Sequence, residues 1–266
     1  MSILHLIHIP ISLPQLGRWA ALRNYGFTVR RGPKGKESDA GFDEGRALHH
    51  LLSETFGQGI LHPFRHFVAP GGKHAEVYAY SRLDAAGLRE SAQTYALPET
   101  FRILDPAKLA AKAMPEAWRT GRRLGFEIRV RPVSRLHSPL ASSGAAFAKG
   151  AEVDVFLIEA LRSFPAGEDA DANMLKAGRS REAVYSDWLA ERLKGAATPQ
   201  PGIRLTRFQR LRAARKGSSP EGPDAILQGD LIVNDPERFQ GILAQGVGRH
   251  KAYGFGMLLL RPPRSA

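Results

Sequence analysis

Two adjacent histidines, His49 and His50, are the residues of this sequence that first point to proton-transfer chemistry. Imidazole has an ordinary pKa close to neutral pH, so it can take up or release a proton during a reaction. Leu48, Leu51 and Leu52 fall on one side of a helical pattern and mark its buried face. We therefore expect one of the pair, His49 rather than His50, to face outward as a base or an acid. The alternative interpretation makes both of them ordinary helix histidines.

A basic stretch upstream of these histidines contains residues suited to holding a phosphate. Between residues 18 and 36 it has six lysines and arginines and no acidic residue. Arginine presents a planar fork that pairs with two phosphate oxygens, whereas lysine offers only a point charge. Four residues of this stretch are therefore candidates to hold a reacting phosphate and neutralise its charge: Arg23, Tyr25, Arg30 and Arg31.

A second basic stretch lies far away in the sequence, between residues 204 and 216, and it also lacks acidic residues. Its basic residues alternate with apolar ones, which predicts a strand with one charged face. Two such stretches predict two sides of one groove for a polyanion, and the alternative is a solvated basic strand. The candidate contacts here are Arg204, Arg207, Arg210, Arg212 and Arg215.

The third unusual segment is a glycine-rich loop at residues 246–256, between a predicted helix and the last predicted strand. Glycines let the backbone approach a polyanion closely and adopt positive φ angles. Neither the dinucleotide-binding fingerprint nor a phosphate loop ending in Gly-Lys-Ser/Thr is present. A simple turn would need fewer glycines, so we interpret the loop as a binding element, with these candidates: Gly246, Gly248, Arg249, His250 and Lys251.

Composition limits the classes of protein that these residues can serve. The chain has 266 residues, 38 Lys and Arg against 26 Asp and Glu, a net charge of +12 and 43% hydrophobic residues. This composition excludes wholesale disorder and indicates a polyanionic partner. With no cysteine, the sequence excludes disulfides, cysteine zinc sites and thiol nucleophiles. We find no carboxylate cluster with metal-ligand spacing, no membrane span and no signal peptide, and we expect a cytoplasmic protein without a metal or other cofactor.

Hydrophobic periodicity and turn residues divide the chain into strands and helices. The predicted strands are residues 3–9, 64–69, 75–81, 124–133, 203–213, 226–233 and 254–261. The predicted helices are residues 43–56, 83–95, 106–120, 153–164, 180–194 and 235–246. The predicted loops and turns are residues 10–41, 134–150, 165–171 and 220–224.

The order β-α-β-β-α-β occurs twice, which predicts an α+β fold of tandem ferredoxin-like (RRM-like) domains. We place the N-terminal domain at residues 1–120, with a basic insertion at 10–41. The C-terminal domain then covers residues 121–266, with a helical insertion at about 137–179 and the glycine-rich loop.

The glycine-rich loop and its surroundings resemble a known family. The pattern Gly-Val-Gly-Arg-His-Lys-Ala-Tyr-Gly-Phe-Gly before an apolar strand is similar to the C-terminal loop of CRISPR repeat-processing endoribonucleases of the RAMP superfamily. Residues 124–136, 182–196 and 226–261 also resemble the type I-E branch. The long segments at 10–41 and 151–178, together with a poor match at the active site, favour the processing nuclease of the related type IV system.

The resemblance implies a metal-independent cut of CRISPR repeat RNA at the base of a stem-loop. A 2′-hydroxyl attacks the adjacent phosphate, which leaves a 2′,3′-cyclic phosphate and a 5′-hydroxyl, and the enzyme stays bound to the product hairpin with other subunits of an effector complex. Family members place a histidine early in the first helix, and that position falls here on Glu44 or Gly45. The nearest substitutes are His49 and His50, and the arginine-rich segment offers a second solution through Arg23.

Two alternatives remain open at this point. The protein can be a non-catalytic RNA-binding subunit of a CRISPR ribonucleoprotein that has lost the active-site histidine. It can also be a nucleic-acid-binding protein unrelated to CRISPR, which would leave the glycine-rich loop unexplained. None of these readings involves a membrane.

Overall fold

The first half of the chain builds a four-stranded antiparallel sheet covered by helices. The structure is a computed structural model and describes residues 3–31, 37–142, 145–164, 169–212 and 221–264. The strands of the first sheet stand in the order β4-β5-β1-β6, and β2 and β3 form a separate hairpin. The elements are β1 (His5–Ser12), α1 (Leu13–Arg23), β2 (Phe27–Arg31), β3 (Glu37–Phe42), α2 (Glu44–Phe56), β4 (Phe64–Val68), β5 (His74–Ser81), α3 (Ala85–Tyr95) and β6 (Ala110–Ala113).

The second half repeats this plan around a longer sheet. Its order is β12-β14-β7-β15, and β13 pairs with β14 as well. The elements are β7 (Arg123–Val130), β8 (Val133–Arg135), β9 (Leu140–Ser142), β10 (Ala145–Phe147), β11 (Glu152–Asp154), α4 (Val155–Ser163), α5 (Ala170–Lys176), α6 (Arg181–Leu193), β12 (Ala197–Pro199), β13 (Arg204–Arg212), β14 (Glu221–Val233), α7 (Pro236–Gln245) and β15 (Leu258–Arg261).

Both halves have the connectivity of a ferredoxin-like domain. In each, the first strand of the unit lies in the middle of the sheet, between the third and the fourth, and the second strand pairs with the third. All of these pairs are antiparallel. The tandem ferredoxin-like prediction is therefore confirmed. The division of the chain at residue 120 stays a prediction.

Local sequence signals explain where the site-bearing helices begin. Asp43 accepts a hydrogen bond from the backbone N–H of Arg46 and caps α2, and Asp235 caps α7 in the same manner. Such caps satisfy backbone donors that the first turn of a helix leaves unpaired. On α2, Leu48 and Leu51 are fully buried against the first sheet, as their spacing predicts.

Two predicted segments differ from the observed ones. Residues 106–120 have helix-favouring residues, but the structure has a 3₁₀ turn at Pro106–Lys108 followed by strand β6. Pairing with β1 decides the outcome, because it extends the sheet along an edge of that strand. Residues 10–41, predicted as a turn-rich insertion, contain helix α1, whose Leu16 and Trp19 are buried. Its proline lies in the first turn, where a missing N–H costs nothing.

Smaller differences affect the second half. The predicted loop at 134–150 contains three short strands, the predicted turn at 220–224 belongs mostly to the long strand β14, and α5 begins inside the predicted linker at 165–171. The last strand is shorter than residues 254–261, since a 3₁₀ turn at Lys251–Tyr253 precedes it. The predicted helical insertion is confirmed, with α4 and α5 as its helices.

The insertion is fixed to the second domain by a buried ionic contact. Asp154, at the start of α4, accepts hydrogen bonds from Arg181 at 2.8 Å and from the Tyr185 hydroxyl at 3.0 Å. Burial raises the pKa of Asp154, and the charge of Arg181 opposes this effect. The described part of the chain includes no helix long and apolar enough to cross a membrane.

The two sheets are joined by a buried hydrogen bond that the sequence did not predict. The Tyr80 hydroxyl on β5 donates to the carbonyl of Leu258 on β15 at 2.9 Å, and the tyrosine is 1% exposed. Arg65 on β4 and Glu127 on β7 add an ion pair at 3.4 Å nearby. These contacts hold the edge of the first sheet against the second.

We expect Tyr80→Phe to lower the free energy of unfolding by about 1–3 kcal/mol, because it removes a buried donor and leaves the Leu258 carbonyl with one partner fewer. Urea unfolding followed by circular dichroism measures this change. The control is Tyr95→Phe, which alters a tyrosine that is 63% exposed. Equal stability of the two variants would contradict a joining role for Tyr80.

Candidate functional site

The glycine-rich loop is a closed turn whose ends are tied together. The backbone N–H of Val247 donates to the carbonyl of Gly256 at 2.8 Å, and His250 at its tip adopts a left-handed φ of 60°. A side chain at Gly248, where φ is 79°, would lie 2.9 Å from the Trp188 ring. The space beside this glycine is thus filled by protein atoms, and its predicted role in binding remains a prediction.

The predicted histidines lie beside this loop. The ring centroids of His49 and Tyr253 are 5.3 Å apart, in an edge-on arrangement, and His49 is also 5.3 Å from His50. Tyr25 stacks on His50 with centroids 3.8 Å apart and planes 10° apart. The structure therefore brings three of the four predicted catalytic residues together with the 3₁₀ turn at Lys251–Tyr253.

Burial keeps the histidines of this group neutral. Burial is the largest cause that lowers the pKa of His50 to about 4, and electrostatic repulsion from His49 and from Arg46 adds to it. Burial also lowers the pKa of His49, and the positive charge of Arg46 lowers it further. His62, which sequence reasoning did not single out, belongs to the same group, because burial first, then Lys251 and His49, lower its pKa. A neutral imidazole can act as a base at neutral pH.

Arg23, the fourth predicted catalytic residue, is engaged by carboxylates. Its guanidinium pairs with Glu99 at 2.5 Å and lies 3.8 Å from Glu54. It also covers the Trp19 ring at 5.1 Å. Burial raises the pKa of Tyr25, and a hydrogen bond from its hydroxyl to Glu54 raises it further. Glu54 thus links these two predicted residues from the exposed side of α2.

A cavity of about 380 Å³ opens next to the histidines, with Tyr253 in its wall. It lies between β4 of the first sheet and β7 and β13 of the second, where the two domains meet. Arginines, aromatic rings and two carboxylates line it. The residues used below are Glu44, Arg65, His66, Arg129, Arg207, Gln209, Tyr253 and Phe255.

One wall of the cavity is a hydrogen-bonded arginine network. Arg129 binds both oxygens of Asp224, at 2.7 and 2.9 Å, and lies over the Phe255 ring at 4.4 Å. Gln209 donates to Asp224 at 2.7 Å and accepts from Arg207 at 3.0 Å. Burial acts to raise the pKa of Asp224, but the hydrogen bonds and charge of Arg129, the hydrogen bond from Gln209 and the charge of Arg207 together outweigh it and the pKa is lowered. Asp224 therefore stays ionised and fixes the network.

The opposite wall contains a histidine that sequence reasoning missed. His66 Nε2 lies 3.2 Å from a carboxylate oxygen of Glu44, and the His66 side chain is only 9% exposed. The hydrogen bond from His66 lowers the pKa of Glu44. Beside it, burial lowers the pKa of Arg65 to about 10, with the charge of Arg129 as the next cause. No sequence motif connects α2 with β4, so only the fold reveals this pair.

The predicted basic strand is split between two faces. A β-bulge between Leu205 and Arg207 changes the alternation of β13. Leu205 and Phe208 pack on the core, whereas Arg207 turns to the cavity. Arg210 pairs with Glu221 at 3.8 Å, and Arg204 is exposed. The side chains of Arg30, Arg31 and Arg212 and all of Arg215 lie outside the described residues.

The loop cations face an acidic partner from the insertion. Glu152 on β11 contacts Arg249 at 2.6 Å and His250 at 2.8 Å. The predicted RNA-binding roles of Arg249 and His250 stay predictions, and in this structure both side chains bind a carboxylate. Among the described ranges, no group of three or more His, Asp or Glu side chains is arranged to hold a metal ion.

We expect His50 to change its charge near pH 4 in the folded protein, since burial opposes the charged ring. Its contribution to stability is complete above about pH 6.5, the ordinary histidine value, and is lost as the pH falls toward 4. Histidine-ring NMR titration measures the midpoint directly. The urea-unfolded chain is the control and should titrate near 6.5, and the same midpoint in the folded protein would contradict the burial argument.

Comparison with known proteins assigns this chain to a family. Two solved structures share the fold: Thermus thermophilus Cse3 bound to an RNA representing a pre-cleavage complex (TM-score 0.59, 18% identity, 98% of this chain and 100% of that one), and Cas6e from Escherichia coli K-12 (TM-score 0.52, 18% identity, 97% and 99%). Among curated protein sequences, none matches this chain. A family model described as CRISPR associated protein matches residues 17–262. The chain is therefore a member of the CRISPR-associated protein family.

Proposed function

We propose that this protein is a metal-independent endoribonuclease that cuts CRISPR repeat RNA at the base of a stem-loop. The observation that supports this most is the position of His49, whose ring contacts Tyr253 in the 3₁₀ turn of the glycine-rich loop, because Tyr253 also lines the arginine-rich cavity. Cse3, which shares this fold, is a CRISPR endoribonuclease and has been captured with RNA. The family membership and the site geometry thus favour the same chemistry.

In the proposed reaction His49 takes the proton from the 2′-hydroxyl next to the cut. The 2′-oxygen then attacks phosphorus, the bond from phosphorus to the 5′-oxygen breaks, and the leaving 5′-oxygen takes up a proton from a water molecule. The products are a 2′,3′-cyclic phosphate and a 5′-hydroxyl. Because burial lowers the pKa of His49, its ring is neutral at pH 7 and ready to act as the base.

Lys251 and Tyr25 have supporting roles in this proposal. Lys251 is close enough to His62 for its charge to lower the pKa of that histidine, so a cation stands beside the histidine group. It stabilises the negative charge that develops on the phosphate oxygens. Tyr25 stacks on His50, which in turn contacts His49, and so it positions the histidines. Arg23 stays with Glu99 and Glu54 unless RNA displaces them.

An exposed cation on the second domain binds the stem in this proposal. Arg204 points away from the core on β13 and reaches the phosphates of an A-form stem by charge, whereas Arg207 faces the cavity. The enzyme keeps the product hairpin and joins other subunits of a CRISPR effector complex in the cytoplasm. Our preference for the type IV system stays a prediction.

A non-catalytic RNA-binding subunit is the second candidate. It is favoured by the carboxylates on Arg23 and by the presence of Glu44 and Gly45 where the resemblance expects a histidine. Such a protein binds the repeat and leaves it uncut. Cleavage by the purified chain separates the two functions.

The first test incubates the purified protein in EDTA with its host's repeat RNA and with the same RNA carrying a 2′-deoxy at the cut position. We expect cleavage of the unmodified RNA alone, with a cyclic phosphate on the upstream product. Cleavage of both RNAs would exclude attack by the 2′-hydroxyl. Tight binding with neither RNA cut would identify the non-catalytic subunit, and a need for added metal would refute metal independence.

The second test removes the proposed base. We expect His49→Ala to reduce the single-turnover cleavage rate by about 10²–10⁴-fold while RNA affinity stays within a few fold. The matched control is His74→Ala, in an exposed hairpin away from the loop. Because the pKa of His49 is lowered, the wild-type rate should hold as the pH falls through 6.5 and decline only below it. A His49→Ala rate equal to that of the control would eliminate His49 as the base.

A further inference from the structure

We propose that the cavity between the two domains is a subsite for one unpaired guanine of the RNA, and that Glu44 recognises its Watson–Crick edge. This inference rests on the proposed function for its substrate, because it assigns the nucleotide that lies beside the cut. It concerns a different part of the site, since Glu44, His66, Arg129 and Arg207 take no part in the proton transfer.

The shape of the cavity suits a single nucleotide. Its volume of about 380 Å³ lies at the lower end of the range for ligand pockets, roughly 300–1,000 Å³. Tyr253 supplies aromatic surface, and Arg129, which lies over the buried Phe255 ring, supplies a guanidinium plane. Flat rings and arginine planes are the surfaces on which proteins bind unstacked bases. Tyr253 also contacts His49, so a base held here is adjacent to the proposed cut.

Glu44 provides an acceptor with a fixed orientation. One of its oxygens bonds His66, and the side chain is 39% exposed at the cavity wall. The hydrogen bond from His66 keeps this carboxylate ionised, so that it can only accept. The buried His66 ring keeps the carboxylate in place.

The opposite wall provides donors. Arg207 is exposed at the mouth and donates to Gln209, while Arg129 is held by both oxygens of Asp224. Arginine forks are the usual partners of acceptor atoms on guanine and of phosphates. The cavity therefore presents an acceptor on one side and donors on the other.

Guanine is the base that satisfies both sides. Its N1–H and N2 amino group are two neighbouring donors that match a carboxylate, and its O6 and N7 are acceptors that match an arginine. Uracil offers one N–H between two carbonyls, and those carbonyls repel an ionised carboxylate. Adenine at N1 and cytosine at N3 each present an acceptor beside their amino group, where Glu44 needs a second donor. The arrangement thus selects guanine over the other bases.

The test measures equilibrium binding of the full chain to repeat RNA with a 2′-deoxy at the cut position, so that no cleavage interferes. Each unpaired nucleotide next to the stem is replaced in turn by the other three bases and, where guanine binds best, by inosine, which lacks only the N2 amino group. We expect one position at which guanine binds at least about tenfold more tightly than uracil, with inosine several-fold weaker than guanine. If none of the positions shows this preference for guanine, the proposal is overturned.

Glu44→Gln tests the recognising residue. A glutamine amide both donates and accepts, so the preference for guanine over uracil should fall to within a few fold. The control is Glu237→Gln, which also removes a carboxylate from the first turn of a capped helix but lies on α7 away from the cavity. It should keep the wild-type preference. An unchanged preference in Glu44→Gln would overturn the assignment.

Two further measurements distinguish failure of the guanine subsite from failure of the proposed nuclease function. Thermal melting verifies that Glu44→Gln is folded, and if it is not, the comparison of guanine with inosine on the wild-type protein decides alone. Cleavage of the all-ribose RNA is assayed beside the binding series. A guanine preference without cleavage would support the subsite and refute the nuclease, whereas cleavage without any base preference would do the reverse.

Discussion

The arrangement of the site depends on one close approach between the two domains, where Gly45 on α2 meets the carbonyl of Tyr253. A Cβ atom at Gly45 would lie only 2.4 Å from that oxygen. The first turn of α2 can therefore rest on the 3₁₀ turn of the glycine-rich loop only because this residue has no side chain. His49 sits one turn further along the same helix, and Glu44 stands beside the contact at the cavity wall. The proposed base His49 and the proposed recognition residue Glu44 are thus placed relative to each other by the same point of packing.

Around this contact, the site is organised by burial as much as by charge. Burial lowers the pKa values of His49, His50 and His62, which leaves neutral rings next to a strongly cationic wall. On that wall Asp224 stays ionised because Arg129 binds both of its oxygens. Neutral histidines and fixed ion pairs on the two sides of Tyr253 are the conditions under which a phosphate can be held on one side and a proton removed on the other.

Much of the fold followed from sequence patterns, and much of the site did not. Regular periodicity located α2, α6 and α7, and the repeated element order predicted the tandem domains. The strand at 110–113 could not be predicted, because its residues favour a helix and only pairing with β1 makes them extended. Residue type and spacing predicted His49, His50 and Tyr25 as site residues; the structure brings them together, and their roles stay predictions. His66 and Glu44 were not paired in advance, since their contact joins α2 to β4 across the fold. The bulge that turns Arg207 to the cavity shows in the sequence only as two consecutive polar residues, Thr206 and Arg207, between Leu205 and Phe208.

The contacts of Glu152 with both Arg249 and His250 affect how the loop would bind the proposed RNA substrate. A carboxylate in that position is a resident anion, so a phosphate arriving at the loop must replace it and push the insertion strand aside. The same exchange applies to Arg23 with its two glutamates. Salt-sensitive affinity comes from the counterions that a nucleic acid releases when cations neutralise its phosphates. As long as Arg23 and Arg249 stay with their glutamates they neutralise no phosphate, so the proposed RNA binding is less dependent on ionic strength than the net charge of +12 suggests.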